Sequence, residues 1–491
     1  MKLDALLEDV DVRRIAGAAS VEISAVSADS RQCGAGSLFV AVPGFVDDGA
    51  RFIRDAIDRG ASAFVSQGEA VEGVTHIEVE DARTALAVIA ANFYGRPATK
   101  LSLIGVTGTS GKTTTTKMIE SIIEATGTPP GLIGTIEYRA GRVRELADRT
   151  TPDAVVLQQW LARMVDESVR YAVMEVSSHA LALRRTHGLT FAAAVFTNLS
   201  RDHFDFHRDF EDYFGAKKML FDQIDRSQRV AVVNIDDAHG VRLASELGDA
   251  VLSFGMAEEA DIHPAPGFSI GIEGLHGTLA TPAGECRVDS PLIGAPNLSN
   301  WMAAVGASLA AGIEIAAIEK GISALAAVRG RFERVPSDNG VVLVDYAHKP
   351  DALEKLLRAV RDLAPGRSIT LVFGCGGDRD QGKRALMGEM AAEFADQIIL
   401  TSDNPRSEDP ESILDQIEAG VRRAEGARCV RIQDRRAAIE HAIASAGDDT
   451  VVVIAGKGHE NYQVVGDQII HFDDREEAEL ALKKKNTRIE I

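Results

Sequence analysis

Seven consecutive residues, Gly108, Thr109, Ser110, Gly111, Lys112, Thr113 and Thr114, follow the apolar run Leu101–Val106. After them, Met118, Ile119, Ile122 and Ile123 fall on one helical face. A strand, a glycine-rich turn and a helix start in that order make a phosphate cradle: backbone N–H groups and the positive end of the helix dipole face the anion. Lys112 would reach the β- and γ-phosphates, and the Thr113 hydroxyl would ligate Mg2+. The general GxxxxGK[ST] pattern is not met, because Val106 stands where its first glycine belongs. The order of elements still predicts a nucleoside triphosphate site. Glu175 ends another apolar run, where a carboxylate can hold Mg2+. Asp202, His203, Asp205 and His207 crowd one short segment, NLSRDHFDFH. Lys217, in FGAKKMLF, would by itself be read as a solvated helix lysine.

The elements that must position these groups are legible as short apolar runs alternating with amphipathic stretches. The runs are Leu101–Val106, Tyr171–Val176, Ala192–Asn198, Arg229–Asn234, Val341–Tyr346, Ile369–Gly374, Gln397–Ser402 and Val451–Ala455. Leu353, Leu356, Leu357, Val360 and Leu363 share one helical face. Buried parallel strands with helices between them give an α/β fold. The unusual polar residues cluster just past the carboxyl ends of these runs, the edge where open α/β sheets bind ligands. Two nucleotide-type domains facing each other across a cleft are expected, behind a first hundred residues of mixed strands. Boundaries are expected at Tyr94–Lys100 and Arg329–Val335, the latter followed by a turn at Pro336–Gly340. The predicted domains are therefore 1–98, 99–329 and 330–491.

Composition narrows the partners. With 491 residues the chain is too long for one core. Fifty-three basic against 73 acidic residues give a net charge of −20, which argues against coating nucleic acid or an anionic membrane. The four cysteines, Cys33, Cys286, Cys375 and Cys429, are scattered, so neither a zinc ribbon nor a disulfide framework is expected. Cys375 has no partner histidine and receives no nucleophilic role. No apolar run reaches membrane-spanning length, and a soluble cytoplasmic chain is expected. FGCGGDRD is a poor dinucleotide fingerprint, since Arg379 holds the third glycine position. Lys483–Lys485 is read as a solvated helix end.

The assembled motifs resemble the Mur ligase family, whose members form amide bonds at the expense of ATP in peptidoglycan precursor synthesis. The resemblance rests on VTGTSGKTT, TTPD (Thr150–Asp153), MEVSSHAL (Met174–Leu181), NLSRDHFDFH, GAK (Gly215–Lys217) and NLSN (Asn297–Asn300). It continues through GRFE, DYAHKPD, FGCGGDRD, DNPR (Asp403–Arg406) and AGKGHE (Ala455–Glu460), with ADSRQCGAGSLFVA near the start. It implies three domains: a mixed α/β UDP-binding one, a central P-loop ATPase-like parallel sheet, and a Rossmann-like carboxy-terminal one. It also implies an acyl-phosphate route, with ATP as cosubstrate and two Mg2+ ions. Thr113 and Glu175 would serve one ion, His203 and a carbamylated Lys217 the other, with Lys112 completing the catalytic set. The same resemblance assigns Asn297, Arg331, Asp345 and His348 to ATP beside Gly108–Thr114. It assigns Ser30, Arg31, Thr150, Thr151, Ser177 and Arg185 to the UDP-sugar substrate. Leu183, Pro296 and Lys349 depart from the common family pattern.

DNPR decides which amino acid is expected. Meso-diaminopimelate carries a distal carboxylate that Arg406 can pair bidentately, whereas L-lysine would leave that arginine unpaired. Asp403, Asn404, Arg379, Gly456 and Glu460 complete the expected clamp. All partners are then small molecules, and a monomer is expected. L-lysine addition, a folylpolyglutamate synthetase, or a P-loop switch protein are the alternatives.

Overall fold

The computed structural model describes every residue except 19, 45–46, 69–70, 72, 226, 229, 338–339 and 490–491. All eight apolar runs are strands: Ser102–Thr107, Tyr171–Glu175, Ala193–Phe196, Ala231–Asn234, Val341–Asp345, Ser368–Phe373, Gln397–Leu400 and Thr450–Ala455. Their Val- and Ile-rich interiors suit a pleated surface buried on both faces, so they read as continuous apolar runs. Arg229, which opened one expected run, and positions 338–339 of the expected turn lie outside the described residues.

The chain divides into two compact units. One comprises 1–263, 280–286 and 300–321; the other 264–279, 287–299 and 322–491. In the first unit, a five-stranded sheet runs Val12–Ala16, Thr75–Val79, Ala61–Ser66, Ser37–Val40, Ala25–Ser27 in spatial order. Only its Val12–Ala16 edge is antiparallel. An eight-stranded sheet in the same unit places Ser102–Thr107 between Ala193–Phe196 and Tyr171–Glu175, all parallel. The register aligns Glu175 with Val106, and Phe196 with Thr107. Parallel strands in this register end together, which is why the phosphate loop, Glu175 and Asn198 reach one edge. Helix Lys112–Ala125 buries Met118, Ile119, Ile122 and Ile123 completely.

In the second unit, a six-stranded sheet runs Glu333–Val335, Val341–Asp345, Thr450–Ala455, Ser368–Phe373, Gln397–Leu400, Cys429–Arg431. All but the first strand are parallel. Helix Pro350–Leu363 buries Leu353, Leu356, Leu357 and Val360 against it, with Leu363 packed at the margin. One feature had no clear sequence signal, and one expected helix end is corrected. The hairpin Tyr462–Val465 and Gln468–His471 is largely exposed, so its strands carry no inward apolar alternation. Helix Asp474–Ile489 runs past Lys483–Lys485, which is therefore not a helix end. Lys484 pairs with Glu440, and Lys485 Nζ donates to the Ala446 carbonyl at 2.6 Å.

Arg435 and Asp474 make an ion pair in which both side chains are 0% exposed. Its two bonds are 2.7 Å each, and Arg435 Nη2 also donates to the Ala455 carbonyl at 3.0 Å. The pair ties helices Arg435–Ser445 and Asp474–Ile489 to the end of strand Thr450–Ala455. Removing one partner strands a buried charge, at a cost of about 3–5 kcal/mol. Asp474→Ala is expected to destabilise this sheet by that amount in urea-induced unfolding, whereas Lys484→Ala stays near wild type.

Candidate active site

The phosphate loop is stitched to the neighbouring strand before any ligand arrives. Asn198 Oδ1 accepts from the Ser110 N–H at 3.0 Å, and its Nδ2 donates back to the Ser110 carbonyl at 3.2 Å. Thr197 Oγ1 donates to the same carbonyl at 2.6 Å. The Thr109 N–H reaches the Asn198 carbonyl at 2.9 Å, and the Thr109 hydroxyl lies 3.1 Å from that of Tyr213. Gly108 has φ 144°, a conformation that side chains resist. A Cβ there would lie 1.9 Å from Thr197 Oγ1.

Two lysines meet on one carbonyl. Lys112 Nζ donates to Gly108 O at 2.7 Å and Thr109 O at 2.9 Å, and Lys217 Nζ donates to the same Gly108 O at 2.7 Å. Lys217 sits on helix Phe210–Lys218, 1% exposed, with its nitrogen 4.4 Å from the centre of the Tyr213 ring. Burial, reinforced by the Lys112 charge, holds its amine well below the ordinary lysine range. The reading of Lys217 as a solvated lysine, natural from its local sequence, is thus reversed by packing.

Glu175 is equally buried. Its Oε2 accepts from Thr113 Oγ1 at 3.1 Å and Thr135 Oγ1 at 3.0 Å, and its Oε1 from the Thr135 N–H at 2.8 Å. Among the described residues, no group of three or more His, Cys, Asp or Glu side chains is arranged to hold a metal ion. The hydroxyl–carboxylate pair of Thr113 and Glu175 nevertheless fits Mg2+, which commonly takes one or two carboxylates and completes its shell with phosphate and water. His203, at φ 56°, packs on His179 (4.8 Å between ring centres) and on Tyr213 (6.2 Å). Its Nε2 lies 3.4 Å from Asp202 Oδ2. His207 is buried instead, its Nε2 2.9 Å from Ser178 Oγ.

Thr150, Thr151, Ser177 and Arg185 gather at the Glu175 strand end. Thr150 Oγ1 is 3.0 Å from Thr135 Oγ1, and Thr151 Oγ1 donates to the Glu175 carbonyl at 2.8 Å. Ser177 caps helix Ser178–Ala182, and Arg185 Nη1 donates to Thr151 O at 2.8 Å. Ser30 and Arg31 form a separate group in the turn Ser30–Gln32, where Arg31 Nη2 pairs with Asp29 at 2.7 Å.

In the second unit, Arg331 lies over the Tyr346 ring at 4.7 Å, and Tyr346 packs at a tilt against His348 at 4.6 Å and His459 at 4.9 Å between ring centres. His348 Nδ1 is 2.8 Å from the Tyr346 carbonyl, which only accepts, so Nδ1 carries the proton. Burial pushes the His348 pKa down to about 4, leaving Nε2 a neutral acceptor. Asp345 is raised by burial, opposed by Arg331, and accepts from the Phe332 and Ala347 N–H groups at 2.6 and 2.8 Å. Asn297 is buried, its Nδ2 donating to Ile293 O at 2.9 Å.

A second polar group in this unit surrounds Lys457, which is 0% exposed. Its Nζ lies 3.2 Å from Asn404 Oδ1, 3.4 Å from Glu460 Oε2 and 3.9 Å from Asp403 Oδ1. Asn404 Nδ2 donates to Glu460 Oε2 at 2.9 Å, and a Cβ on Gly456 would lie 2.9 Å from Asp403 Oδ2. Arg406 is held at φ 53° by the exposed hairpin: its N–H donates to Val464 O, and its carbonyl accepts from Gly466 N–H. Its Nη1 donates to Gly377 O at 2.7 Å. Arg379 is exposed on the neighbouring Gly374–Asp380 loop. Thr135 and Lys457 received no role from the sequence, although Lys457 lies inside the quoted AGKGHE; Asn198 is among the polar residues expected just past a strand end.

Profiles of known families cover nearly all of these groups. The Mur ligase family catalytic domain matches residues 22–94, the Mur ligase middle domain 106–308, and the Mur ligase glutamate ligase domain 330–458. A relative from Gloeobacter violaceus (strain ATCC 29082 / PCC 7421) is 49% identical over 473 residues, spanning 95% of each chain. This chain belongs to the Mur ligase family. That relative is named UDP-N-acetylmuramoyl-L-alanyl-D-glutamate--2,6-diaminopimelate ligase. A relative of the same name from Geobacter metallireducens (strain ATCC 53774 / DSM 7210 / GS-15) is 43% identical, with 99% of each chain covered. A solved structure under that name superposes on this Mur ligase with a TM-score of 0.73 at 33% identity, over 99% of both chains. The three family domains account for the α/β architecture.

Gly108→Ala is expected to keep the fold but raise the ATP dissociation constant at least about tenfold, because the Thr197 hydroxyl must move out of the loop. Isothermal titration with a nonhydrolysable ATP analogue reads this directly.

Proposed function

We propose that this Mur ligase joins meso-diaminopimelate to UDP-N-acetylmuramoyl-L-alanyl-D-glutamate, with ATP converted to ADP and phosphate. The observation that carries the specificity is the cluster of Asp403, Asn404 and Glu460 around buried Lys457, beside Arg406. It offers acceptors for amino groups and a guanidinium for a carboxylate, a set matched by an amino acid with both at its far end.

The chemistry follows from charge. The D-glutamyl γ-carboxylate attacks the γ-phosphorus of ATP, and ADP departs with the bridging oxygen's electron pair. The amine of diaminopimelate then attacks the acyl carbon, loses a proton, and phosphate leaves. Two anions must approach closely in the first step, and Lys112 supplies compensating charge at the phosphate loop. Thr113 and Glu175 would hold one Mg2+, with His203 and Lys217 serving a second. Bound there, Mg2+ would supply charge neutralisation on the phosphate oxygens.

Lys217 can serve a cation only as an anion. Burial and the Lys112 charge depress its pKa, which favours the neutral amine that adds to CO2 and releases a proton to form a carbamate. Thr150, Thr151, Ser177 and Arg185 would contact the sugar–peptide, and Ser30 and Arg31 the uridine diphosphate. Asn297, Arg331, Asp345 and His348 would line the ATP base, ribose and phosphates. Arg379 and Gly456 would complete the diaminopimelate site. We place the domain boundaries at 98/99 and 329/330. The working form is read as a cytoplasmic monomer; among the described residues no helix is long and apolar enough to cross a membrane.

Purified protein with ATP, Mg2+ and the UDP-muramyl dipeptide is expected to release phosphate with meso-diaminopimelate and not with L-lysine. Release with lysine alone would overturn the specificity; release with a folate acceptor, and none with the muramyl dipeptide, would overturn the cell-wall reading. An unpaired, desolvated Arg406 costs about 3–5 kcal/mol, so discrimination of roughly two to four decades in kcat/KM is expected, and Arg406→Ala should remove most of it. For Lys217, a carbamate resonance from 13C-bicarbonate is expected near pH 7–8, well below the pH where an ordinary lysine becomes neutral, and absent in Lys217→Arg.

A further inference from the structure

We propose that Glu408 is a positioning residue for diaminopimelate selection, clamping the turn Gly376–Asp378 against which Arg406 is aimed; this rests on the ligase reading above. Glu408 lies two residues beyond Arg406 and outside the DNPR segment. Its carboxylate takes a bidentate pair from Arg384, with Nη1 and Nη2 each 2.9 Å from one oxygen. The Asp378 N–H donates to it at 2.5 Å. Arg384 is 0% exposed, and its Nη2 also donates to the Gly376 carbonyl at 3.2 Å. Arg406 meets the same turn through the Gly377 carbonyl at 2.7 Å. Ser407, between them, donates its hydroxyl to Asp378 Oδ1 at 2.8 Å.

Three successive side chains, Arg406, Ser407 and Glu408, thus grip one three-residue turn. The arrangement gives a freely rotating arginine a fixed resting place. The Gly377 carbonyl engages one of the five guanidinium N–H groups, and an incoming carboxylate needs two others. An arginine already ordered loses less rotamer freedom on binding, which strengthens association with the ligand it faces. Glu408 does not touch substrate in this scheme; it acts through the turn. The bonds from Arg384 and Asp378 hold its carboxyl ionised, with a pKa of about 2, so the clamp persists across the physiological range.

The test is steady-state kinetics of the full-length wild type, Glu408→Gln and Arg384→Lys, with melting temperatures recorded for each. Loss of charge-assisted bonds at Glu408 is expected to raise the KM for meso-diaminopimelate about 10- to 100-fold. The KM values for ATP and for the UDP-muramyl dipeptide should stay within about twofold, and the preference over L-lysine should fall in parallel. Arg384→Lys keeps a cation but not the fork, and is expected to lie between wild type and Glu408→Gln. A lowered melting temperature with an unchanged diaminopimelate KM would overturn the proposal, as would a rise in all three KM values together. Wild-type protein that releases no phosphate with diaminopimelate would instead overturn the ligase reading, and this proposal with it.

Discussion

The Gly108 carbonyl accepts hydrogen bonds from two lysine side chains, and much of the first unit is arranged to make that possible. One oxygen cannot hold Lys112 and Lys217 close together if both are charged and buried, without a large electrostatic penalty. Burial and the Lys112 charge push the Lys217 pKa well below its ordinary value, which eases that conflict. A desolvated amine of depressed pKa beside a phosphate loop has chemistry that a solvated lysine lacks. The positive φ of Gly108 is part of the same arrangement, since a side chain there would strike Thr197.

The second unit solves a different electrostatic problem in a related way. Asp403 and Glu460 are two carboxylates drawn to one place, where they would repel each other without a cation between them. Lys457 stands between them, fully buried, and Asn404 bridges Lys457 to Glu460. Arg406 is kept out of that cluster by a left-handed backbone, a conformation costing of order 1–3 kcal/mol that the hairpin beside it must offset. The result is a surface with acceptors on one side and a guanidinium on the other. Burial holds Lys457, Asp403 and Asn404 in place, while Arg406 is fixed by its bond to the Gly377 carbonyl.

Much of this was legible residue by residue. The phosphate loop announced itself because strand, glycine turn and helix are contiguous in sequence, and the parallel strands did so because Val and Ile runs buried on both faces need no alternation. The exposed hairpin after Glu460 did not, because its residues face solvent on both sides and carry no periodic signal. Lys483–Lys485 misled for a local reason: three lysines look like a helix terminus unless the acidic and carbonyl partners on the neighbouring helix are known. Thr135 was missed because it acts through a contact distant in sequence, on Glu175.

The amino-acid sequence by itself determined the α/β class, the order of the strands along the chain, the nucleotide loop, and the DNPR and AGKGHE segments. Those are properties of short contiguous stretches, where propensity and spacing act locally. Only the tertiary structure decided that Lys217 is buried with a depressed pKa, that Lys457 lies among Asp403, Asn404 and Glu460, and that Glu408 shares a turn with Arg406. Each depends on desolvation and on charges brought together from separate elements. Neither burial nor a neighbouring charge is a property of a residue's own segment, and both vanish when the chain unfolds.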